Sequence, residues 1–531
     1  MSDLKCIFSS NASGRPYCRD EEEALMYRIK DNTCAVFNGS DLIFASESER
    51  FTKAKHDAVP PTQNLEMFKK YYPDQNQEDL VPVTWEKPNN TPLQIYECFY
   101  QSGFKEAAIL VNYAFGSSED SVTLAYMRAG QKPKILKQFP KDASLCRMYG
   151  DASARIFNVS NYAEGKFMGL AGFGKDNGHI YAEWDKENKE IVVHSERIRN
   201  ECTVLRTQSD VMDSCDFAFT FQRDFEQVIV EVTKYFKELL VQNNIKTKNL
   251  CLSGGGVMNC PTNSKIVDLG LFENYYASPQ PSDGCANSIG RFYAMMQNNG
   301  ERIESKRLES AYLGVTYPHT DYPYKKECIN KDRTNYLCNF LESGGVIAWF
   351  QDGAEYGPKS LGHRSFLADP TKPSIKEAMN KIKGRESWRP IAPIVPEELF
   401  HRIFEVNNTD MCEFMLRTLK VKKKWALKMG AVIHVDGTVL PQLLKREINP
   451  LLYDLIMSYF ERTHIPCLIN TSLNINGFPI VETPKDFGLL IEEIGFKKEI
   501  PDVKGVLTEG SNSFEVFPPI DADECIYSSI S

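Results

Sequence analysis

Hydrophobic and polar positions change rhythm several times along the chain. Residues 4–9 (LKCIFS) read as a short first strand, and Asn11 to Asp31 form a polar, charged excursion. From Thr33 the pattern is TCAVF, then Asn38-Gly39, then DLIFAS. Two apolar runs around Asn-Gly predict a β-hairpin, because both turn residues tolerate positive φ. The charged segment SESERFTKAKHD follows from Ser46 to Asp57. KPNNTPLQI (87–95) leads into a second strand pair, AAILVNY and SVTLAYM, joined by a turn rich in Gly, Ser and Asp. In NYAEGKFMGLAGFGK (161–175) glycines interrupt the apolar residues, which predicts a tightly packed loop and helix start near a ligand.

Apolar residues then fall at helical spacing from about Phe219 to Gln242, predicting one long amphipathic helix. A short strand, KTKNLCL, leads to SGGGVMNC, and the next helix starts near Pro261. Helix, strand, glycine loop and helix in that order indicate an α/β domain. Residues 296–345 are more polar, carry Pro and Tyr, and form the expected domain boundary. A second α/β region runs from Gly345 to about Phe517. In it Ile375, Met379 and Ile382 share one helix face, and Leu468-Ile469 end a buried strand. No internal repeat is visible. The expected organisation is a domain over residues 1–310, a linker over 311–344 and a domain over 345–531.

Composition narrows the class. The 531 residues are 42% hydrophobic and 25% charged, ordinary for a globular protein, and at about 150 residues per domain the chain holds two to four. The net charge of −9 and pI near 5.6 argue against wholesale binding to a nucleic-acid backbone. The 15 cysteines lack paired CxxC spacing, which argues against a disulfide framework and a structural zinc site and fits a reducing compartment. The N-terminus is too polar for a signal peptide and no apolar run reaches transmembrane length. A cytoplasmic protein with no membrane partner is expected.

Three stretches carry candidate chemistry. Glu355 to Pro370, EYGPKSLGHRSFLADP, packs cations, hydroxyls, glycines and prolines into one run, an arrangement suited to a small anion such as phosphate. Taken alone it also reads as a polar loop with ordinary surface charges. Ser253-Gly254-Gly255-Gly256 lies between a strand and a helix, with Asn259 in reach. Glycines there let backbone N–H groups approach a nucleotide, although a tight strand-to-helix turn has the same pattern. Lys383 and Arg389, beside Glu386-Ser387-Trp388-Arg389-Pro390, add to Lys359 and Arg364; some of these cations have Glu355, Asp369 or Glu386 as alternative partners. The strand end Asn470-Thr471-Ser472 offers donors and acceptors for an amide or a phosphate oxygen. Asp31 and Asp283 are candidate metal or phosphate-water ligands, or turn aspartates. His56, His363 and His434 stand near polar motifs.

LSGGGVMNC, EYGPKSLGHRSFLADP, ESWRPIAP, HVDGT and LINTSLNINGFPIVETP together closely resemble the NodU/CmcH-type O-carbamoyltransferases. SESERFTKAKHD and EGKFMGLAGFGK extend the resemblance over nearly the whole chain, in order. It implies an α/β protein with an actin/Hsp70-like (ASKHA) N-terminal domain and a YrdC-like C-terminal carbamoyltransferase domain. The second domain would turn carbamoyl phosphate and ATP, with which Mg2+ can travel, into a carbamoyl-adenylate. The first would direct that group onto an acceptor hydroxyl. Lys359, Arg364, Lys383 and Arg389 would hold phosphate charge, and Asn470, Thr471 and Ser472 the carbamoyl or phosphate oxygens. Gly254, Gly255, Gly256 and Asn259 would hold the adenosine. Lys30, Asp31 and His56 fall at the catalytic positions.

The chain also departs from the family's pattern. The outer histidines of the usual HHxAH metal stretch are replaced by Asn90 and Gln94, and the aspartate of VDG by Asn112. Asp283 alone survives from that constellation, so no tightly bound iron or zinc is expected, since carboxamides bind transition metals poorly. The usual HD pair reads Lys30-Asp31, losing an imidazole. Lys359 replaces an arginine and loses its bidentate fork, and Leu440 replaces another. Two readings follow. One is an active O-carbamoyltransferase whose acceptor is a sugar, another small hydroxyl compound, or a hydroxymethylated pyrimidine as nucleotide or DNA. The other is a degenerate, nucleotide-binding regulatory member. A small-molecule kinase or ATPase is disfavoured by the carbamoyltransferase-like second half.

Overall fold

The computed structural model describes residues 4–9, 33–53, 62–73, 82–83, 90–114, 120–159, 163–207, 210–282, 286–317, 333–495, 503–509 and 513–517. The Asn-Gly hairpin forms where the pattern puts it. Thr33–Asn38 and Asp41–Glu47 pair antiparallel, and Gly39 turns the chain at φ 61°. Leu4–Ser9 pairs antiparallel with Thr33–Asn38 and parallel with Pro82–Val83. This sheet therefore runs third, second, first, fourth strand in chain order.

A second sheet repeats that order. Glu106–Asn112, Asp120–Arg128 and Lys134–Pro140 are successive antiparallel neighbours. Asn249–Ser253 and then Asn274–Tyr276 extend the sheet in parallel on the free side of Glu106–Asn112. The repetition lies in topology and has no counterpart in residue identity, which is why the sequence displays no repeat. KPNNTPLQI feeds a helix, Asn90–Gln101, before the strand pair. The long amphipathic helix is Cys215–Gln242, longer than its period predicts because Cys215, Phe217 and Ala218 are also buried.

The second half is built on one seven-stranded sheet. Its strand Leu468–Ser472 lies between Arg364–Ala368 and Ala392–Pro396, antiparallel to both. The helix Pro373–Ile382 buries Ile375, Met379 and Ile382 as the spacing requires. The helix Arg333–Glu342 packs Leu337, Cys338 and Leu341 into a core with Trp349 and Ile456.

The halves share apolar cores. Strand Thr33–Asn38 shows how: Ala35 and Phe37 face the core of the first half, while Cys34 and Val36 face a core with Val346, Phe350 and Phe366. With both faces covered, the strand reads as an unbroken apolar run rather than an alternating one. The described cysteines are free thiols, and no described helix is long and apolar enough to cross a membrane.

Candidate active site

The glycine loop follows Asn249–Ser253 and is held from two sides. Gly254 has φ 94°, donates its N–H to the Pro281 carbonyl at 2.7 Å, and lies so close to Asn112 that a Cβ would collide with the Asn112 carbonyl. A Cβ on Gly256 would meet the Asn112 carboxamide, whereas one on Gly255 would meet nothing. Close approach thus explains two of the glycines, and Gly255 remains as the open face. Asn259 caps the helix Cys260–Asp268, accepting from the Thr262 hydroxyl at 2.9 Å, and exchanges hydrogen bonds of 2.9 and 3.0 Å with Gln222. Its side chain serves the fold in this structure rather than facing the loop's open side.

The loop 355–364 contains an anion of its own. Glu355 is buried and its Oε1 accepts the backbone N–H groups of Leu361 (2.8 Å), His363 (2.8 Å) and Arg364 (3.1 Å). Three backbone N–H groups of the run are thus turned inward onto Glu355 and not toward a bound anion. Arg364 is likewise fully buried; it donates to the carbonyls of Gln351, His363, Asp352 and Glu482 and stacks 3.5 Å from the Phe350 ring. The position expected to grip phosphate is thus an internal clamp. Lys359 is partly exposed and lies near Cys260 at the glycine-loop helix, where burial pushes the thiol up and the Lys359 ammonium opposes that shift.

The strand end joins the same region. Asn470 Nδ2 donates to Ser360 O (2.9 Å) and Gln442 Oε1 (2.7 Å). The Lys383 ammonium is buried against the strand end, bonded to the Ser472 carbonyl and hydroxyl and to Asn474 O and Oδ1. Thr471 is half-exposed beside them, paired across the sheet with Phe366.

Beyond Lys383 the charges no longer balance. Arg389 is half-buried, and its only ion-pair partner among the described residues is Glu386, at 4.0 Å. Glu386 is shared with Lys166 of the EGKFMGLA helix in the first half, at 3.0 Å. Burial and the neighbouring Arg389 push the Arg385 guanidinium down to about 9, with Glu386 opposing. Burial lowers Arg389, again opposed by Glu386, and burial and then Arg385 lower Lys376, opposed by Glu377. Burial also lowers His434, which bonds the Gly169 carbonyl through Nε2 at 2.9 Å. Crowded cations that stay protonated in partial burial could take an anion as counter-charge. Arg385, Lys376 and Lys166 were not among the expected ligands. For Arg385 the signal was the charge excess of KIKGRESWRP, four cations against one carboxylate; Lys376 and Lys166 lie outside that run.

Of the family's metal positions, the two whose side chains are described, Gln94 and Asn112, do not fit a metal here. Gln94 is fully buried, and Asn112 Oδ1 accepts from the Cys146 thiol at 3.2 Å while its carboxamide packs on Gly256. Asn90 begins the helix Asn90–Gln101; its side chain lies outside the described residues, as do Lys30, Asp31, His56 and Asp283. No group of three or more metal-ligating side chains occurs among the described residues.

The two halves thus meet in a seam where Lys166 of the EGKFMGLA helix pairs with Glu386 and where Lys359 lies near Cys260 at the glycine-loop helix, while Lys383 and Asn470 are buried behind it in internal bonds. A carbamoyltransferase N-terminal model matches residues 93–290, and a carbamoyltransferase C-terminal model matches 338–497. The chain belongs to the carbamoyltransferase family. Both models reach the seam, one from each half. The chain is similar to nodulation protein NolNO of Sinorhizobium fredii, 29% identical over 74% of this chain and 59% of that protein. It is also similar to nodulation protein NolO of Bradyrhizobium diazoefficiens, 28% identical over 75% of each chain. The chain thus spans less than two thirds of NolNO. Among solved structures, full-length HypF in a phosphate- and nucleotide-bound form overlaps 51% of this chain and 46% of its own, at 12% identity and a TM-score of 0.34. An overlap that low bears on neither fold nor function.

Proposed function

We propose that the protein is an ATP-dependent O-carbamoyltransferase that activates carbamoyl phosphate and transfers the carbamoyl group to an acceptor hydroxyl. The observation that carries this reading is the surplus of half-buried cations around Glu386, where Arg385, Arg389, Lys376 and Lys166 have too few carboxylates. A polyanion such as ATP supplies the missing charge. The repeated strand order of the first half supports an actin/Hsp70-like domain over about residues 1–310, and the mixed sheet leaves a YrdC-like domain over 345–531 as the partner reading.

Activation is needed because the carbamoyl nitrogen donates into its carbonyl and weakens the electrophile. In the balanced sequence, water takes the phosphoryl group of carbamoyl phosphate as inorganic phosphate and leaves carbamate. A carbamate oxygen attacks the α-phosphorus of ATP and pyrophosphate departs. The acceptor hydroxyl then attacks the carbamoyl carbon, gives up its proton, and AMP leaves. Arg389 and Arg385 would hold phosphate charge during adenylation, and Asn470 and Ser472 would orient the carbamate. The open face at Gly255 would receive the adenosine for transfer. Closure of the seam would keep water from the anhydride. The transfer step is not routed through a metal, since Gln94 and Asn112 do not fit one.

A second reading, a nucleotide-binding regulatory member, is favoured by the same two carboxamides, with Asn112 committed to Cys146. Pyrophosphate–ATP exchange in the presence of carbamoyl phosphate separates the two: an enzyme exchanges label, a binding subunit does not.

A further inference from the structure

Three buried polar side chains cross the seam and have no place in the chemistry above. Arg50, Glu47 and Gln280 are each at most 3% exposed. Arg50 Nη2 donates to the Gly357 carbonyl at 2.8 Å and more weakly to the Glu355 carbonyl at 3.4 Å. Its Nε donates to Glu47 Oε2 at 3.2 Å. The other Glu47 oxygen accepts from Gln280 Nε2 at 2.5 Å. One residue on, the Pro281 carbonyl takes the N–H of Gly254. The chain of contacts thus starts in the loop that bears Lys359 and ends in the glycine loop. Gly357 itself, at φ 113°, is seated so tightly that a Cβ would press on the Pro279 carbonyl. Burial disfavours the Arg50 charge, but Glu47, Glu49, Glu482 and Glu355 outweigh it and hold the guanidinium protonated.

We propose that Glu47, Arg50 and Gln280 form a bracket that holds the Lys359 loop and the glycine loop in register, as positioning residues for delivery of the activated carbamoyl group. The inference rests on the carbamoyl-transfer reading for what is delivered, though the bracket itself rests on the contacts. Apolar side chains would hold the halves together as well as buried charges do. Directional bonds add a fixed relative position of two loops. A mixed anhydride passed between two sites needs that register, because each misalignment opens a path for water. Escape would hydrolyse the carbamoyl-adenylate to carbamate and AMP.

The test uses the full chain with Glu47→Gln and Gln280→Ala, which remove no cation. Backbone amide hydrogen exchange is followed in peptides covering 253–258 and 355–364. AMP release per pyrophosphate–ATP exchange event is measured with ATP and carbamoyl phosphate and no acceptor. The bracket predicts faster amide exchange in both peptides together, and an AMP ratio raised about fivefold, the scale of one lost hydrogen bond. Faster amide exchange confined to the peptide nearest the substitution, or an unchanged AMP ratio, overturns it. If the wild-type chain shows no pyrophosphate exchange, the functional reading fails instead, and the coupled amide exchange alone decides whether the two loops are bracketed.

Discussion

Lys166 Nζ lies 3.0 Å from Glu386 Oε1 and thereby joins a helix of the first half to the cation-rich turn of the second. Glu386 lies below the usual carboxylate range: burial opposes this, but a backbone hydrogen bond, Lys166 and Arg389 together outweigh it. Lys166 thus sits closer to Glu386 than Arg389 does, at 3.0 Å against 4.0 Å. Arg389 is left with Glu386 at 4.0 Å beside Arg385, the arrangement on which the proposed anion site rests.

Arg389→Ala is expected to lower pyrophosphate–ATP exchange by at least about tenfold, because charge-assisted contacts to phosphate are worth about 1.5–3 kcal/mol. Steady-state exchange at saturating carbamoyl phosphate checks this. Unchanged exchange removes Arg389 from the site.

The two kinds of glycine in the loop should separate in experiment. Gly254→Ala is expected to lower stability by about 1–3 kcal/mol, since a side chain there meets the Asn112 carbonyl at a strained φ. Gly255→Ala should leave the melting temperature in place and weaken ATP binding measured by calorimetry. Equal effects of both substitutions on stability would contradict a loop with one open face.

Much of the fold was legible in the sequence because it rests on local pattern. The hairpin at Asn38-Gly39, the strand–glycine loop–helix unit and the buried face of Ile375, Met379 and Ile382 all follow from residue spacing. The candidate site was legible in its motifs but less so in its roles. Glu355 and Arg364 lie in the same motif as Lys359, yet the carboxylate binds the loop's own N–H groups and the arginine its neighbouring carbonyls. Composition cannot tell a cation that faces a ligand from one that faces the backbone. The bracket at Arg50 was illegible for another reason, since its partners lie 305 and 307 residues away.

His363 is expected to leave a mark on acid stability. It is buried, stacked on Tyr312 at 3.4 Å and bonded to the Gly353 carbonyl, and burial pushes it down to about 3. Between pH 6.5 and that value the unfolded chain binds a proton that the folded chain does not, so stability rises with pH across the window. The contribution is up to about 1.4 kcal/mol per pH unit. Urea unfolding of His363→Gln against wild type from pH 6 to pH 4.5 reads it, and equal slopes would contradict it.

Elemental analysis of the purified protein should find no stoichiometric iron or zinc, and carbamoyl transfer should survive a strong transition-metal chelator. Gln94 and Asn112 provide the reason. One tightly held transition metal per chain would show that ligands come from elsewhere.

The central claim is that the second half adenylates a carbamoyl donor. The most direct measurement incubates the protein with ATP, carbamoyl phosphate and labelled pyrophosphate, without acceptor. Label in ATP that depends on carbamoyl phosphate is the expected result; no label above a blank without protein would rule adenylation out.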